Sequence, residues 1–165
     1  MSQPLVSVVV NNYNNERYLR ECLDALIVQT YRNLEIVVVD AYSSDNSRVI
    51  LDEYAKRDAR IKLIYTERYV KYPAITYNLG FLNTSGDFVA INDADDISMP
   101  TRIEKQLNYL LAHPDIGVVG CNCVEFNDSM ERVVLTTVEE NIRNAAPPAR
   151  NPSLMFRKIE LASHG

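Results

Sequence analysis

The stretch that decides the fold reads Leu5-Val6-Ser7-Val8-Val9-Val10, followed by Asn11-Asn12. A short run of β-branched residues is typical of a strand buried on both faces, and we expect the two asparagines to begin a loop. The next segment changes period, because apolar side chains recur at helical spacing at Tyr18, Leu19, Cys22, Leu23, Leu26 and Ile27. This pattern predicts a helix whose start is capped by Asn14 or Asn15.

The same order of strand, loop and helix repeats along the chain. A second apolar run ends at Asp40, and the polar loop after it leads into a predicted helix. The predicted strands are Leu34–Val39, Ile61–Tyr65, Phe88–Ile91 and Val133–Thr137, while the pattern weakens after Gly117–Phe126 and Leu154–Arg157 is a short apolar piece. The predicted helices are Ser47–Arg57, Pro73–Asn83, and one that opens at Met99-Pro100 and stops near His113-Pro114.

Alternation of buried strands with helices predicts an α/β fold with a mostly parallel, open sheet and helices on both faces. A chain of 165 residues is long enough for one such domain, so we expect a single domain over residues 1–165. Sheets of this type bind ligands beyond the carboxyl ends of their strands.

Charge narrows the class of partner. Lys and Arg total 17 against 22 for Asp and Glu, which gives a net charge of −5. Because the basic residues are scattered singly, we expect no nucleic-acid partner. An acidic protein can still bind an anionic ligand where backbone N–H groups or a bound cation reverse the local field.

The apolar stretch Leu5–Val10 is too short to cross a membrane and lacks a basic leader, so we expect no transmembrane segment and a cytoplasmic location. Three cysteines, Cys22, Cys121 and Cys123, cannot form a fully paired framework. We expect them to be buried, reduced thiols.

The loops that follow the strands are polar. They comprise Asn11–Asn14, Asp40–Asp45 and Asn92–Asp96. If the chain stays extended after Ile91, Asp93 and Asp95 point the same way. Neighbouring carboxylates repel one another unless a cation joins them, and their oxygens suit Mg²⁺ or Mn²⁺. The alternative is that Asp95 and Asp96 cap the following loop or the helix that begins near Pro100 and carry no metal.

Several spaced motifs occur together in one order: Val6–Val10, Tyr13–Leu19, Cys22–Leu26, Gln29–Tyr31, Asn33–Asp40, Asn78–Gly80, Ser85–Ala90, Asp93–Asp96, Met99-Pro100-x-Arg102 and Asn151–Arg157. With these motifs the chain resembles the family 2 inverting glycosyltransferases of the GT-A fold, from about Leu5 to its last residues. The resemblance implies a Rossmann-like domain that binds a nucleotide sugar, most simply a UDP-sugar, with Mn²⁺ or Mg²⁺ as cofactor.

The resemblance also implies roles for individual residues. Tyr13 would stack on the base, and the pocket for base, ribose and sugar would include Asn11, Asn12, Asn14, Asp40, Asp93 and Ala94. Asp95 would be the main metal ligand, with Asp93 and Asp96 beside it. Lys71 or Arg68 would bring positive charge to the diphosphate, although a solvated surface role is open for both. A hydroxyl of an unidentified glycan, lipid or protein would be the acceptor of a hexosyl-type transfer.

The chain departs from the family pattern at four places. Asn11-Asn12 stand where the family commonly has Pro-Thr, and Tyr77 stands where it often has Arg. The usual Asp-Asp-Gly-Ser loop reads Asp40-Ala41-Tyr42-Ser43, which removes a carboxylate that often reads the base. The sequence ends at Gly165, before the expected acceptor region and its general base. No catalytic residue is therefore assigned, and apolar surface exposed there is a reason to expect a homodimer.

Two other classes of function fit part of the pattern. A Mg²⁺-dependent phosphotransfer protein also places aspartates at strand ends, although Asp93-Ala94-Asp95-Asp96-Ile97 lacks the Thr or Val that such a phosphatase motif carries. A non-catalytic nucleotide-binding or interaction module of the same fold is favoured by Ala41 and disfavoured by the intact acidic cluster.

Overall fold

The structure is a computed structural model that describes residues 3–126, 132–136 and 153–158. Its strands are β1 Val6–Asn12, β2 Leu34–Asp40, β3 Ile61–Tyr65, β4 Phe88–Asp93, β5 Val118–Val119, β6 Cys123–Phe126, β7 Arg132–Thr136 and β8 Met155–Arg157. Its helices are α1 Leu19–Ile27, α2 Ser47–Arg57, α3 Pro73–Leu82 and α4 Arg102–Ala112.

The strands form a six-stranded sheet in the order β3-β2-β1-β4-β8-β5, and β6 pairs with β7 in a separate ribbon. Strands β1 to β4 are parallel to one another, whereas β8 runs antiparallel to both β4 and β5. The order of the four parallel strands changes direction at β1, which β2 and β4 flank. Such a switch point opens a crevice at the carboxyl ends of the strands.

Helices cover both faces of this sheet, as predicted. Alternate residues of β1 face opposite ways, so Val6, Val8 and Val10 pack with α1, α2 and α4, while Val9 packs against α3. Gly80 lets α3 lie close to the sheet, because a Cβ at this position would come within 2.4 Å of Cγ1 of Val9. The close approach brings the side chains of α3 to the end of β1 and β4.

Most predicted elements are confirmed, and the differences lie at strand ends. Asn11 and Asn12 belong to β1 instead of the following loop, since they pair with Val39 and Asp40 of β2. The cap predicted for α1 is wrong, because the helix begins after Tyr18 without a side-chain cap. The main-chain oxygen of Asn15 accepts from the N–H groups of Tyr18 and Leu19 instead.

Two further predictions are corrected. The helix expected to open at Met99-Pro100 begins at Arg102. All three cysteines are free, but only Cys22 is buried, while Cys121 and Cys123 are partly exposed. Within the described ranges no helix combines the length and the apolar character needed to cross a bilayer.

Candidate functional site

The polar strand ends predicted to share a site meet at one edge of the sheet. Asn12 lies opposite Asp40, and Asn11 lies opposite Asp93. Main-chain hydrogen bonds continue this contact beyond the strands. The N–H of Ala41 donates to the main-chain oxygen of Asn12 at 2.8 Å, and the N–H of Ala94 donates to the main-chain oxygen of Asn11 at 3.2 Å. The loops after β1, β2 and β4 therefore border the same crevice.

The loops after β1 and β2 hold each other in place. The N–H of Asn14 donates to Oγ of Ser43 at 2.9 Å, and the N–H of Ser44 donates to Oδ1 of Asn14 at 2.8 Å. Asn14 has a φ of 53°, a left-handed conformation that asparagine tolerates better than most residues. Its side chain thus joins the loop after β1 to the loop after β2 instead of capping α1.

Asp40 is buried and its carboxylate is fully occupied. One oxygen accepts from Nδ2 of Asn12 at 2.8 Å and from the hydroxyl of Ser43, and the other accepts from the N–H of Ser43 at 3.0 Å and from Nε of Arg48 at 2.8 Å. Asp40 therefore holds together the end of β1, the loop after β2 and the first turn of α2. In the described part of the chain, Oδ1 of Asn12 is buried without a hydrogen-bond partner.

Arg48 reaches Asp40 from α2 and is covered by two aromatic rings. Its guanidinium carbon lies 5.2 Å from the ring centre of Tyr42 and 5.0 Å from that of Tyr65. Tyr42 has a φ of 71°, which is unfavourable for a bulky residue and common for the glycine of the family motif. Strain of this kind is concentrated at functional sites.

The acidic segment is a turn, so the condition under which Asp93 and Asp95 would point the same way, an extended chain, is not met. Strand β4 ends at Asp93, and the N–H of Asp96 donates back to the Asp93 oxygen at 3.1 Å. Nδ2 of Asn92 ties the turn together by donating to the Asp93 oxygen at 2.8 Å and to the Asp96 oxygen at 3.2 Å. The turn gathers all three carboxylates within a few residues.

A buried arginine supports this turn. The guanidinium of Arg102 donates to Oδ1 of Asn92 at 2.9 Å, to Oγ of Ser98 at 2.8 Å and to the Ile91 oxygen at 2.7 Å. Burial lowers the pKa of Arg102, which nevertheless remains a strong base. Arg102 of the Met99-Pro100-x-Arg102 motif thus shapes the loop and leaves the three carboxylates available to a ligand.

Burial and the neighbouring negative charges raise the pKa of Asp93 and of Asp96. The pKa of Asp96 rises to about 6, first because it is buried and then because Asp95 and Asp93 lie close by. The pKa of Asp93 also rises, mainly through burial, although a hydrogen bond from the hydroxyl of Tyr77 opposes the rise. Such a cluster gains from a bound cation.

The cluster fits a cation that is shared with a ligand. No group of three His, Cys, Asp or Glu side chains among the residues described is arranged to enclose a metal ion by itself. Mg²⁺, however, usually takes one or two carboxylates and completes its shell with water and phosphate oxygens. Asp95, the most exposed of the three aspartates, is free for such a role. Neither Asp95 nor Asp96 caps α4, because this helix starts without a side-chain cap.

Three residues near the site were not assigned a role from the sequence. Tyr77 holds Asp93, Arg102 supports the turn, and the ring of Tyr69 lies 4.8 Å from that of Tyr13. Tyr77 lies one helical turn before Gly80, on the face of α3 that meets the sheet, so helical spacing was a usable signal. Lys71 is exposed and lies 5.7 Å from the ring of Tyr72, and its contact with a diphosphate stays a prediction.

Known proteins are similar to this chain in sequence and in fold. The model of the family Glycosyl transferase family 2 matches residues 7–158. A relative from Haemophilus influenzae, described as an uncharacterized glycosyltransferase, is 42% identical over 125 residues, which is 71% of this chain and 36% of that protein. The match therefore spans little more than a third of the relative.

Two solved structures have the same fold. The S. aureus TarS structure in complex with UDP-GlcNAc superposes with a TM-score of 0.77 at 22% identity, over 96% of this chain and 46% of that one. The mannosyltransferase PcManGT from Pyrobaculum calidifontis, in complex with GDP-Man and Mn²⁺, gives a TM-score of 0.79 at 21% identity, over 99% and 47%. The α/β sheet is thus of the GT-A type.

Proposed function

This chain belongs to glycosyl transferase family 2, and from that premise we propose that it is the donor-binding part of a glycosyltransferase. In this proposal it holds a nucleoside-diphosphate sugar through a divalent metal ion. The observation that carries the proposal is the meeting of a polar pocket and an acidic turn at the switch point of the sheet, where Asn11 neighbours Asp93 and Asn12 neighbours Asp40.

The proposed pocket divides into a nucleoside side and a phosphate side. Tyr13 is 42% exposed and offers a ring face to the base. Asn11, Asn12 and Asn14 would line the base and ribose, and the occupied carboxylate of Asp40 would keep them in position. Ala94, whose N–H is already bonded to β1, would lie beside the sugar. Lys71 would approach the diphosphate from its exposed position.

On the phosphate side, Asp95 would be the main metal ligand, with Asp93 and Asp96 beside it. Bound there, Mn²⁺ or Mg²⁺ would act as a Lewis acid that stabilises charge on the departing nucleoside diphosphate. The carboxylates would exchange mutual repulsion for attraction to the ion, and Tyr77 would orient Asp93 toward it. The complex of PcManGT with GDP-Man and Mn²⁺, and that of TarS with UDP-GlcNAc, support this class of ligand.

The proposal extends to transfer with inversion at the anomeric carbon. An acceptor hydroxyl of a glycan, lipid or protein would attack the face of the sugar opposite the diphosphate, with a carboxylate as general base. We assign no residue of this chain to that base. The matches to the Haemophilus protein, TarS and PcManGT each span less than half of that protein. We propose a cytoplasmic location, where the free thiols stay reduced.

The test is ligand-dependent thermal stability. With UDP and GDP supplied separately, each with Mn²⁺, we expect at least one nucleotide at 100 times its Kd to stabilise the chain by about 2.7 kcal/mol. Asp95→Ala should abolish this shift, because the exposed carboxylate that meets the metal is gone. The melting temperature of the ligand-free variant should stay close to that of the parent chain.

The matched control is Asp115→Ala, which removes an exposed aspartate just after α4. This variant should keep the full shift. If neither nucleotide shifts the parent chain in the presence of Mn²⁺, the proposal is wrong.

A second candidate, a non-catalytic module of the same fold, is favoured by one observation. Ala41 is buried where the family motif usually has a second carboxylate, so no side chain there reaches the ligand. Hydrolysis or transfer from a nucleotide sugar by the purified chain would exclude this candidate. The family match removes the reason for the phosphotransfer alternative.

A further inference from the structure

Two exposed tyrosine rings face each other at the rim of the proposed pocket. Tyr13 follows β1, and Tyr69 lies in the loop between β3 and α3. Their ring centres are 4.8 Å apart and their planes are inclined by 47°. Both side chains are about half exposed, Tyr13 at 42% and Tyr69 at 52%.

The loop that carries Tyr69 is anchored to the pocket at both ends. The N–H of Thr66 donates to the Asp40 oxygen at 3.0 Å, and Oγ1 of Thr76 donates to Oδ1 of Asn11 at 2.7 Å. Residues 66–76 therefore connect the end of β2 to the end of β1, the two strands that flank the nucleoside side. The position of Tyr69 is set by the same residues that form the pocket.

The two tilted rings do not stack on each other, so a bound base would cover ring surface that the pair leaves exposed. A tilted pair buries less ring surface than an offset stack, and the outer faces of both rings remain in water. A base between two parallel rings would need about 7 Å between their centres, so one ring must move. Exposed side chains change rotamer within nanoseconds, and the 52% exposure of Tyr69 permits such a movement.

We propose that Tyr69 is the second face of the base site and that its ring moves away from Tyr13, so that the base lies between Tyr13 and Tyr69. This inference rests on the proposed function. Stacking between aromatic rings is tolerant of base identity, because every base has a π face. The two tyrosines thus provide affinity for the nucleoside of a nucleoside diphosphate, and hydrogen-bonding groups deeper in the pocket provide selectivity.

The experiment is calorimetric titration of UDP and GDP, each with Mn²⁺, into the parent chain and into Tyr69→Ala. We expect Tyr69→Ala to weaken binding about tenfold, since one stacked face is lost. Tyr69→Phe should bind within about twofold of the parent, because it retains the ring. Tyr109→Ala is the matched control and should bind as the parent does, since its ring is 45% exposed on α4 and stacks on His113.

A ligand without a base separates stacking from a general disturbance of the loop. Inorganic pyrophosphate with Mn²⁺ should bind the parent chain and Tyr69→Ala with the same affinity. If Tyr69→Ala binds UDP and GDP as tightly as the parent, or more tightly, Tyr69 is not a second face and the inference is wrong. If the parent chain binds neither nucleotide, the proposed function fails instead.

Discussion

Carboxylates at the two ends of the parallel strands lie in opposite environments. At the amino end of β2, Glu35 is buried among donors that include the hydroxyl of Ser7, the N–H groups of Ser85 and Gly86, and the ammonium of Lys62. Burial alone would raise its pKa, but the hydrogen bonds, that of Lys62 first, lower it to about 2. The hydrogen-bond partners of this carboxylate are thus supplied by the protein itself.

At the carboxyl end of the strands the balance is reversed. Asp93, Asp95 and Asp96 lie within one turn, and the pKa of Asp96 rises to about 6 through burial and the two neighbouring charges. Glu35 therefore stabilises the fold, whereas the acidic turn costs stability until something positive binds. Glu35 is thus a carboxylate of the scaffold, whereas the three aspartates belong to the proposed site, and variants of both groups test this assignment.

Glu35→Ala should have the largest effect on stability, a loss of about 3 kcal/mol in the free energy of unfolding measured in urea. The reason is that the hydroxyl of Ser7 and the N–H of Ser85 would lose their acceptor. The stabilisation by nucleotide and Mn²⁺ should persist in this variant. A loss below about 0.5 kcal/mol would mean that Glu35 is not a scaffold carboxylate.

Acid should remove the same contribution reversibly. The pKa of Glu35 is lowered from its ordinary 4.5 to about 2, so its stabilising effect is complete above pH 4.5 and is lost as the pH falls toward 2. Because Lys62 is half exposed, we expect a discounted loss of about 2 kcal/mol over this range. Urea unfolding between pH 2 and pH 5 should show this loss in the parent chain and not in Glu35→Gln.

Asp96→Asn should have a smaller effect of the opposite sign. A folded pKa of about 6, above the ordinary 3.8, means that Asp96 favours folding below pH 4 and that this benefit is lost as the pH rises through 6. Removing the charge should therefore stabilise the metal-free chain at pH 7 by about 1 kcal/mol, after allowance for partial exposure.

The advantage of Asp96→Asn should shrink in Mn²⁺ and nucleotide, because the bound cation relieves the same repulsion in the parent chain. Asp115→Asn, which removes an exposed charge elsewhere, should leave stability unchanged. A destabilised Asp96→Asn chain would place this residue with the scaffold, beside Glu35.

The sequence alone predicted the layered α/β architecture, the bounds of α2 and β3, and the convergence of three polar strand ends. It did so because β-branched runs and helical spacing are local signals. It did not predict that Asn11 and Asn12 continue the ladder, since strand length there depends on the partners Val39 and Asp40. The turn at Asp93–Asp96 was also missed, because it is held by the distant Arg102 through Asn92.

Within the site, residue types were easier to predict than their tasks. Asp40 was expected to face the nucleotide, yet its oxygens are occupied by Asn12, Ser43 and Arg48, a state that only tertiary packing reveals. Tyr69 carries no motif, and its place against Tyr13 follows from the anchored loop. Contacts between loops depend on the finished sheet and leave no periodic trace in the sequence.

We propose that a divalent cation at the aspartate turn allows this acidic chain to bind a nucleoside diphosphate. The most direct measurement is calorimetric titration of UDP and of GDP, each in Mn²⁺ and in EDTA. For the nucleotide that binds, we predict an affinity about 100-fold lower in EDTA, and by reciprocity about 100-fold tighter Mn²⁺ binding when that nucleotide is present. Equal affinity in Mn²⁺ and in EDTA would contradict the account.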